Sequence, residues 1–166
     1  EDKVGILSFE TAADRGLPAQ RGASHLRGIT AYVSQLEAAY RHTDYLALAA
    51  NLRRRLHHRT LILILTVLPE REERFDLLRA VDMLTARHLP LFVVLSDRDL
   101  RAQAELLPSN RDELSRVLVA RDLSLGRMEL MRELRSRGAM VVESTAADWG
   151  IDAVNSYIEV KRRQLL

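Results

Sequence analysis

Apolar positions along the chain switch between short continuous runs and a spacing of three or four. Four runs, 3–9 (KVGILSF), 60–66 (TLILILT), 90–96 (PLFVVLS) and 139–143 (AMVVE), have strand length. The runs at 60–66 and 90–96 are apolar at nearly every position, which predicts parallel strands covered on both faces. The segment 13–19 (ADRGLPA) is expected to return beside the first run as an antiparallel edge strand, where Pro18 is tolerated because no ladder partner needs its missing N–H.

Between the runs the period is helical. Leu26, Ile29, Val33, Leu36 and Tyr40 predict a helix over 23–39 with that stripe as its buried face. Tyr45, Leu48, Ala49, Leu52 and Leu56 do the same for 44–58. A third helix over 71–87 has Glu70, Glu72 and Glu73 at its positive start and Arg87 with His88 at its negative end. A short helix over 98–106 is stopped by Pro108. Asn110 and Glu113 then form a capping box for a helix reaching Arg137, with Gly126 as a point of interruption. The last helix, 147–164, is amphipathic through Ile151, Val154, Tyr157, Ile158 and the stem of Lys161. Strands separated by helices pair in parallel through right-handed crossovers. The expected fold class is therefore α/β, a three-layer doubly wound and mostly parallel sheet with an antiparallel edge hairpin, in one domain spanning 1–166.

Composition narrows the function classes. The chain has no cysteine, which excludes disulfides, thiolate catalysis and Cys-ligated zinc. A hydrophobic fraction of 47% is that of a globular domain rather than a disordered chain. The net charge is only +2, so no field of one sign is implied and nucleic acid is not an expected partner. Apolar runs such as Leu61 to Leu65 fall far short of the ~20 residues that span a bilayer. The chain opens on Glu1 without a signal-peptide pattern and reads as a fragment of something longer.

The common catalytic signatures are missing. The sequence contains no Gly-x-Gly-x-x-Gly, no Gly-x-x-x-x-Gly-Lys-[Ser/Thr] and no Gly-x-Ser-x-Gly. His57 and His58 are adjacent and cannot share a helix face, while His25, His42 and His88 sit near helix ends, so no metal-ligand spacing emerges. The run LRRRLHHR (52–59) reads as a solvated helix end whose cations suit the carbonyl dipole, without the interleaved aromatics of a nucleic-acid platform. Asp97 and Asp99 follow a strand, where Asp is a turn former and helix cap.

The segments DKVGILSFE…LPAQRGASHLRGI, HTDYLALAANLRRRLHHRTLILILT, LLRAVDMLTARHLPLFVVLSDRDL and VNSYIEVKRRQLL, in that order, resemble the carboxy-terminal half of the bacterial family called domain of unknown function 58. That half is similar to von Willebrand factor type A domains. The marks are Arg21-Gly22 entering a helix, Thr43-Asp44 before the next, and the terminal Asn155-x-Tyr157-x-x-Val160-Lys161. The resemblance implies a larger parent with amino-terminal membrane helices, this domain in the cytoplasm, and genes beside those of MoxR-type AAA+ ATPases. It also implies a divalent-cation site built from an Asp-x-Ser-x-Ser loop, a helix-start Thr and an Asp after the fourth strand. Thr43 matches the Thr. The loop would lie upstream of Glu1, and Val67 stands where the Asp would be. A hard cation wants oxygen ligands, so no metal and no cofactor are expected, and Thr43 is left as the N-cap of the helix after it.

The expected function is that of a non-catalytic protein-interaction module, with a MoxR-type AAA+ ATPase as partner in assembly or maturation. Its surface would be drawn from Ser8, Thr43, Asp44, Thr66, Ser96 and Asp97 at the strand and helix ends. The alternative is a small-ligand-binding or hydrolytic α/β domain using the same strand ends. No contact of this segment with nucleic acid or membrane is expected. In the type A arrangement the first strand is central and would precede residue 1, so 4–9 and 60–66 are expected to close the gap by direct parallel pairing, in preference to a segment from another molecule filling it.

Overall fold

The computed structural model describes residues 2–9, 15–37, 42–69 and 71–166. Among the described residues five strands, β1 (Val4–Ser8), β2 (Arg15–Gln20), β3 (Leu61–Thr66), β4 (Leu89–Leu95) and β5 (Met140–Ser144), are interleaved with six helices. The helices are α1 (Ala23–Ser34), α2 (Tyr45–Arg55), α3 (Arg71–Thr85), α4 (Arg98–Glu105), α5 (Arg111–Ser136) and α6 (Trp149–Arg162). The fold class is the expected one. A parallel sheet in the order β3-β4-β5 is flanked by helices, and β1 and β2 form an antiparallel hairpin.

Register assigns the faces. Ile62, Ile64, Phe92 and Val141 point to one side and join buried residues of α2, α3 and α5 in the main core, among them Ala49, Leu77, Val81 and Leu134. Leu91 and Val93 point to the other side and are covered by α6 through Ala153 and Trp149, whose ring N–H donates to the Val93 carbonyl at 3.1 Å. Strand β4 is buried at every position but its last, as its unbroken apolar run predicts.

Strand β3 departs from that expectation. It has the same unbroken composition, yet among the described residues it pairs on one side only, and its α6-facing Leu63 and Leu65 are 42% and 49% exposed. Helix α6 is centred on β4 and β5 and leaves that third of the sheet face bare. Direct pairing of 4–9 with 60–66 does not occur either. Among the described residues strand β1 pairs with β2 alone, in a separate sheet. It nonetheless runs in the sense of β3. Asp2, just before it, bonds Tyr157 and Lys161 near the end of α6, and Phe9, just after it, packs on Tyr45 at the start of α2 with ring centroids 6.4 Å apart. Helix α6 starts with Trp149 at the Val93 carbonyl, near the carboxyl ends, and so ends at the amino ends beside Asp2, while Tyr45 at the start of α2 meets Thr66 at the carboxyl end of β3, which places Phe9 there. Within the hairpin, a Cβ on Gly16 would collide with the Ile6 carbonyl, which fixes glycine at that crossing.

The stripe assigned to the first helix is not buried. Leu26 is 63% exposed, Val33 and Leu36 lie open, and α1 contains no buried residue. Tyr40 lies outside the described residues. Helix α5 runs unbroken through Gly126, whose surroundings are open and whose φ stays out of the left-handed region. Its cap is as expected on one side, Asn110 Oδ1 accepting from the Glu113 N–H at 2.8 Å. The return bond from Glu113 goes to the Ser109 N–H at 2.7 Å, one residue earlier than in the standard box.

Candidate functional site

The six residues expected to form a surface fall into three neighbourhoods. Ser8 is held within the hairpin unit, its hydroxyl 2.5 Å from the Tyr32 hydroxyl and donating to the Arg15 carbonyl at 3.3 Å. Thr43, Asp44 and Thr66 gather around Tyr45 at the carboxyl end of β3. The N-cap of α2 is Asp44, whose Oδ1 accepts from the Ala47 N–H at 2.8 Å, and not Thr43. Helix α2 begins at Tyr45, which makes Asp44 the flanking residue whose side chain reaches the third N–H and leaves Thr43 one position outside. Burial is the main cause holding the Tyr45 hydroxyl above its ordinary pKa, while Thr66 and Thr43 hydrogen-bond to it and partly offset that rise. Glu73 bonds the exposed His42, whose pKa it raises by that bond and by its charge.

These donors do not amount to a cation site. Val67 offers no oxygen, the Thr66 hydroxyl donates to the Val67 carbonyl at 2.9 Å, and the nearby Glu73 is committed to His42. Among the described residues no three His, Asp or Glu side chains are placed to hold a metal ion. Titration of the chain with magnesium, calcium or manganese is expected to give only weak, nonspecific heats by calorimetry. A one-to-one site of micromolar affinity would contradict this reading of Thr43 and Val67.

Ser96 and Asp97 belong to a separate cleft of about 540 Å³ at the carboxyl ends of β4 and β5, shared with Val67, Arg127 and Thr145. Several of its polar groups are taken up by the fold, while the buried Arg127 Nε is left without a hydrogen-bond partner. Asp97 caps α4 by accepting from the Leu100 N–H at 2.9 Å, and Thr145 donates to Asp148 at 2.6 Å. Arg127 donates to the Leu95 carbonyl and lies 3.9 Å from Glu143, which also pairs with Arg101 at 3.3 Å. The cleft lining contains no His and no Lys, and its carboxylates are Asp97, which caps α4, and Asp99, so a serine or threonine there lacks the His or Lys that commonly activates it.

Two surfaces escaped the sequence reading. The first is the open side of β3, where Leu63 and Leu65 continue into Val67, itself 56% exposed, beside a row of backbone groups without a described strand partner. No periodic signal marks it, because an edge strand and a central strand can share one composition. The second lies at the opposite end, where the strands begin. The connections α2–β3 and α3–β4 are joined there by the Leu89 N–H donating to the Thr60 carbonyl at 3.0 Å. They display Arg53, Arg54, Arg55, His57, His58, Arg59 and Arg87, all exposed, around a buried His88. None of those five arginines forms an ion pair with a described carboxylate. Burial is the first cause that depresses the His88 pKa, and the charges of Arg87 and Arg53 add to it. The signal for this surface was in the sequence as the run 52–59, but only the fold adds Arg87 to it.

No helix among the described residues is long and apolar enough to cross a membrane. Comparison with known proteins returned no matching family model, no matching curated protein and no matching solved structure.

Proposed function

We propose that the chain is a non-catalytic protein-interaction module whose contact surface is the open side of β3. One observation carries this reading: Leu63, Leu65 and Val67 lie exposed in a row on the strand whose outer edge has no partner among the described residues. An unpaired edge offers main-chain hydrogen bonds to an extended segment, and exposed alternate side chains give that segment pockets to read. The alternative, ligand or hydrolytic chemistry at the strand ends, is weakened by a cleft in which Asp97 and Thr145 are already bonded and which no His or Lys lines. The resemblance to domain of unknown function 58 supplies a partner class, an AAA+ ATPase of MoxR type.

The test is affinity capture with the parent protein from its own cells, with and without ATP. The wild-type chain should retain a defined partner, and the double variant Leu63→Glu, Leu65→Glu should lose it while its melting curve stays close to wild type, since both side chains are exposed. Equal retention by the double variant would remove β3 from the contact.

A further inference from the structure

We infer that the amino-end face of the sheet is a docking surface for an anionic phospholipid membrane. This goes beyond the interaction reading and reverses the expectation that the segment touches no membrane. The topology gathers the charge. Helices α2, α3 and α6 end on this face, bringing Arg53, Arg54, Arg55, Arg87 and Arg162 to the same side as Arg59, all exposed. Arg162 likewise forms no ion pair with a described carboxylate, whereas its neighbours Lys161 and Arg163 are held by Asp2 and Glu159 at 2.9 and 2.7 Å.

Helix dipoles account for part of this pattern. A cation in the last turn is favoured by the carbonyls there, but three successive arginines point about 100° apart, and no single set of carbonyls serves them all. Arg59 lies beyond the helix altogether, in the connection to β3. Unpaired guanidinium groups at this density repel one another and are relieved by an external polyanion.

The shape of the face selects the polyanion. The cations sit on helix ends and turns on both sides of the sheet and do not line either of the clefts at Asn110–Arg116 and at Ser96–Thr145. A plane meets both sides of the sheet together, whereas a duplex touches only the cations along its own line. No exposed Phe, Tyr or Trp among the described residues stands on this face to stack a base, which leaves only the imidazoles of His57 and His58, the exposed Phe75 being in the first turns of α3 under Arg79 at 5.8 Å. Helix carboxyl ends, not amino ends, point outward here, so the phosphates must be met by the long arginine side chains, whose planar forks suit phosphate headgroups.

The experiment is co-sedimentation at low salt with vesicles of phosphatidylcholine alone and of phosphatidylcholine mixed with phosphatidylglycerol. The chain should partition to the mixed vesicles only and leave them as salt is raised. Each arginine removed should weaken partitioning about fivefold, and the variant Arg53→Gln, Arg54→Gln, Arg55→Gln about a hundredfold. A thermal melt checks that this variant is folded. The variant Arg98→Gln, Arg111→Gln, Arg116→Gln removes the same charge from the opposite end and should bind like wild type. Equal loss in both variants, no partitioning to the mixed vesicles, or tighter binding to a DNA duplex or to polyglutamate at matched charge would each overturn the proposal.

Discussion

Replacing Phe92 by alanine is expected to cost about 3–5 kcal/mol of folding free energy, the largest loss of any single side chain considered. Phe92 is among the largest fully buried side chains and stands at the middle of the central strand, paired in register with Ile64 and Val141. Its removal deletes contacts on both neighbouring strands and on the helices above them, and a rigid sheet cannot collapse into the space left. Leu65→Ala on β3 removes a side chain of the same chemical kind from a half-open position and should cost well under about 1 kcal/mol. Urea unfolding of the two variants checks the pair. A Leu65→Ala loss approaching that of Phe92→Ala would mean that the β3 face is covered in solution, and the proposed contact surface would fall with it.

That contrast also shows where sequence reasoning ends. Strands β3 and β4 have nearly the same unbroken apolar character, because a strand's composition reports the hydrophobicity of its surroundings and not how many neighbours it has. Strand β4 is buried because β3 and β5 flank it and helices cover both faces. Among the described residues strand β3 lacks both an outer neighbour and the cover of α6. The order of helices and strands, the cap at Asn110 and the buried stripe of α2 were legible, since each depends on residues close in sequence. The exposed stripe of α1 was not legible, because an amphipathic period states which face would be buried and leaves open whether anything lies there to bury it. The choice of Asp44 over Thr43 as cap was a matter of one residue of phase, which propensity does not resolve between two good capping residues. In the same way the run 52–59 read as an ordinary helix end until the fold brought Arg87 and the end of α6 to the same face.

His88 gives the fold a sensitivity to acid whose sign is fixed by its surroundings. The side chain is 3% exposed, neither ring nitrogen has a well-formed hydrogen bond, and the nearby His58 backbone offsets only part of the effect of burial. Burial comes first among the causes that lower its pKa below the ordinary 6.5, and protonation would place a third cation beside Arg87 and Arg53. In the unfolded chain the imidazole keeps its ordinary value, so between the lowered folded pKa and 6.5 the unfolded state binds more protons. The contribution of a neutral His88 is therefore complete above pH 6.5. It is lost as the pH falls towards the folded pKa, with a slope of at most about 1.4 kcal/mol per pH unit. Leucine fills a similar volume without a titratable group, so His88→Leu should match or exceed wild-type stability at pH 8 and gain on it steadily through this window. Other groups also titrate with folding. Asp2, hydrogen-bonded to Tyr157 and Lys161, is held below its ordinary pKa, and its contribution is present above that ordinary value and lost in stronger acid. Because Asp2 is common to both proteins, the difference between the two stability curves isolates His88. A difference that stays flat from pH 8 down to pH 5 would mean that the imidazole at this position is solvated and titrates as it does in the unfolded chain.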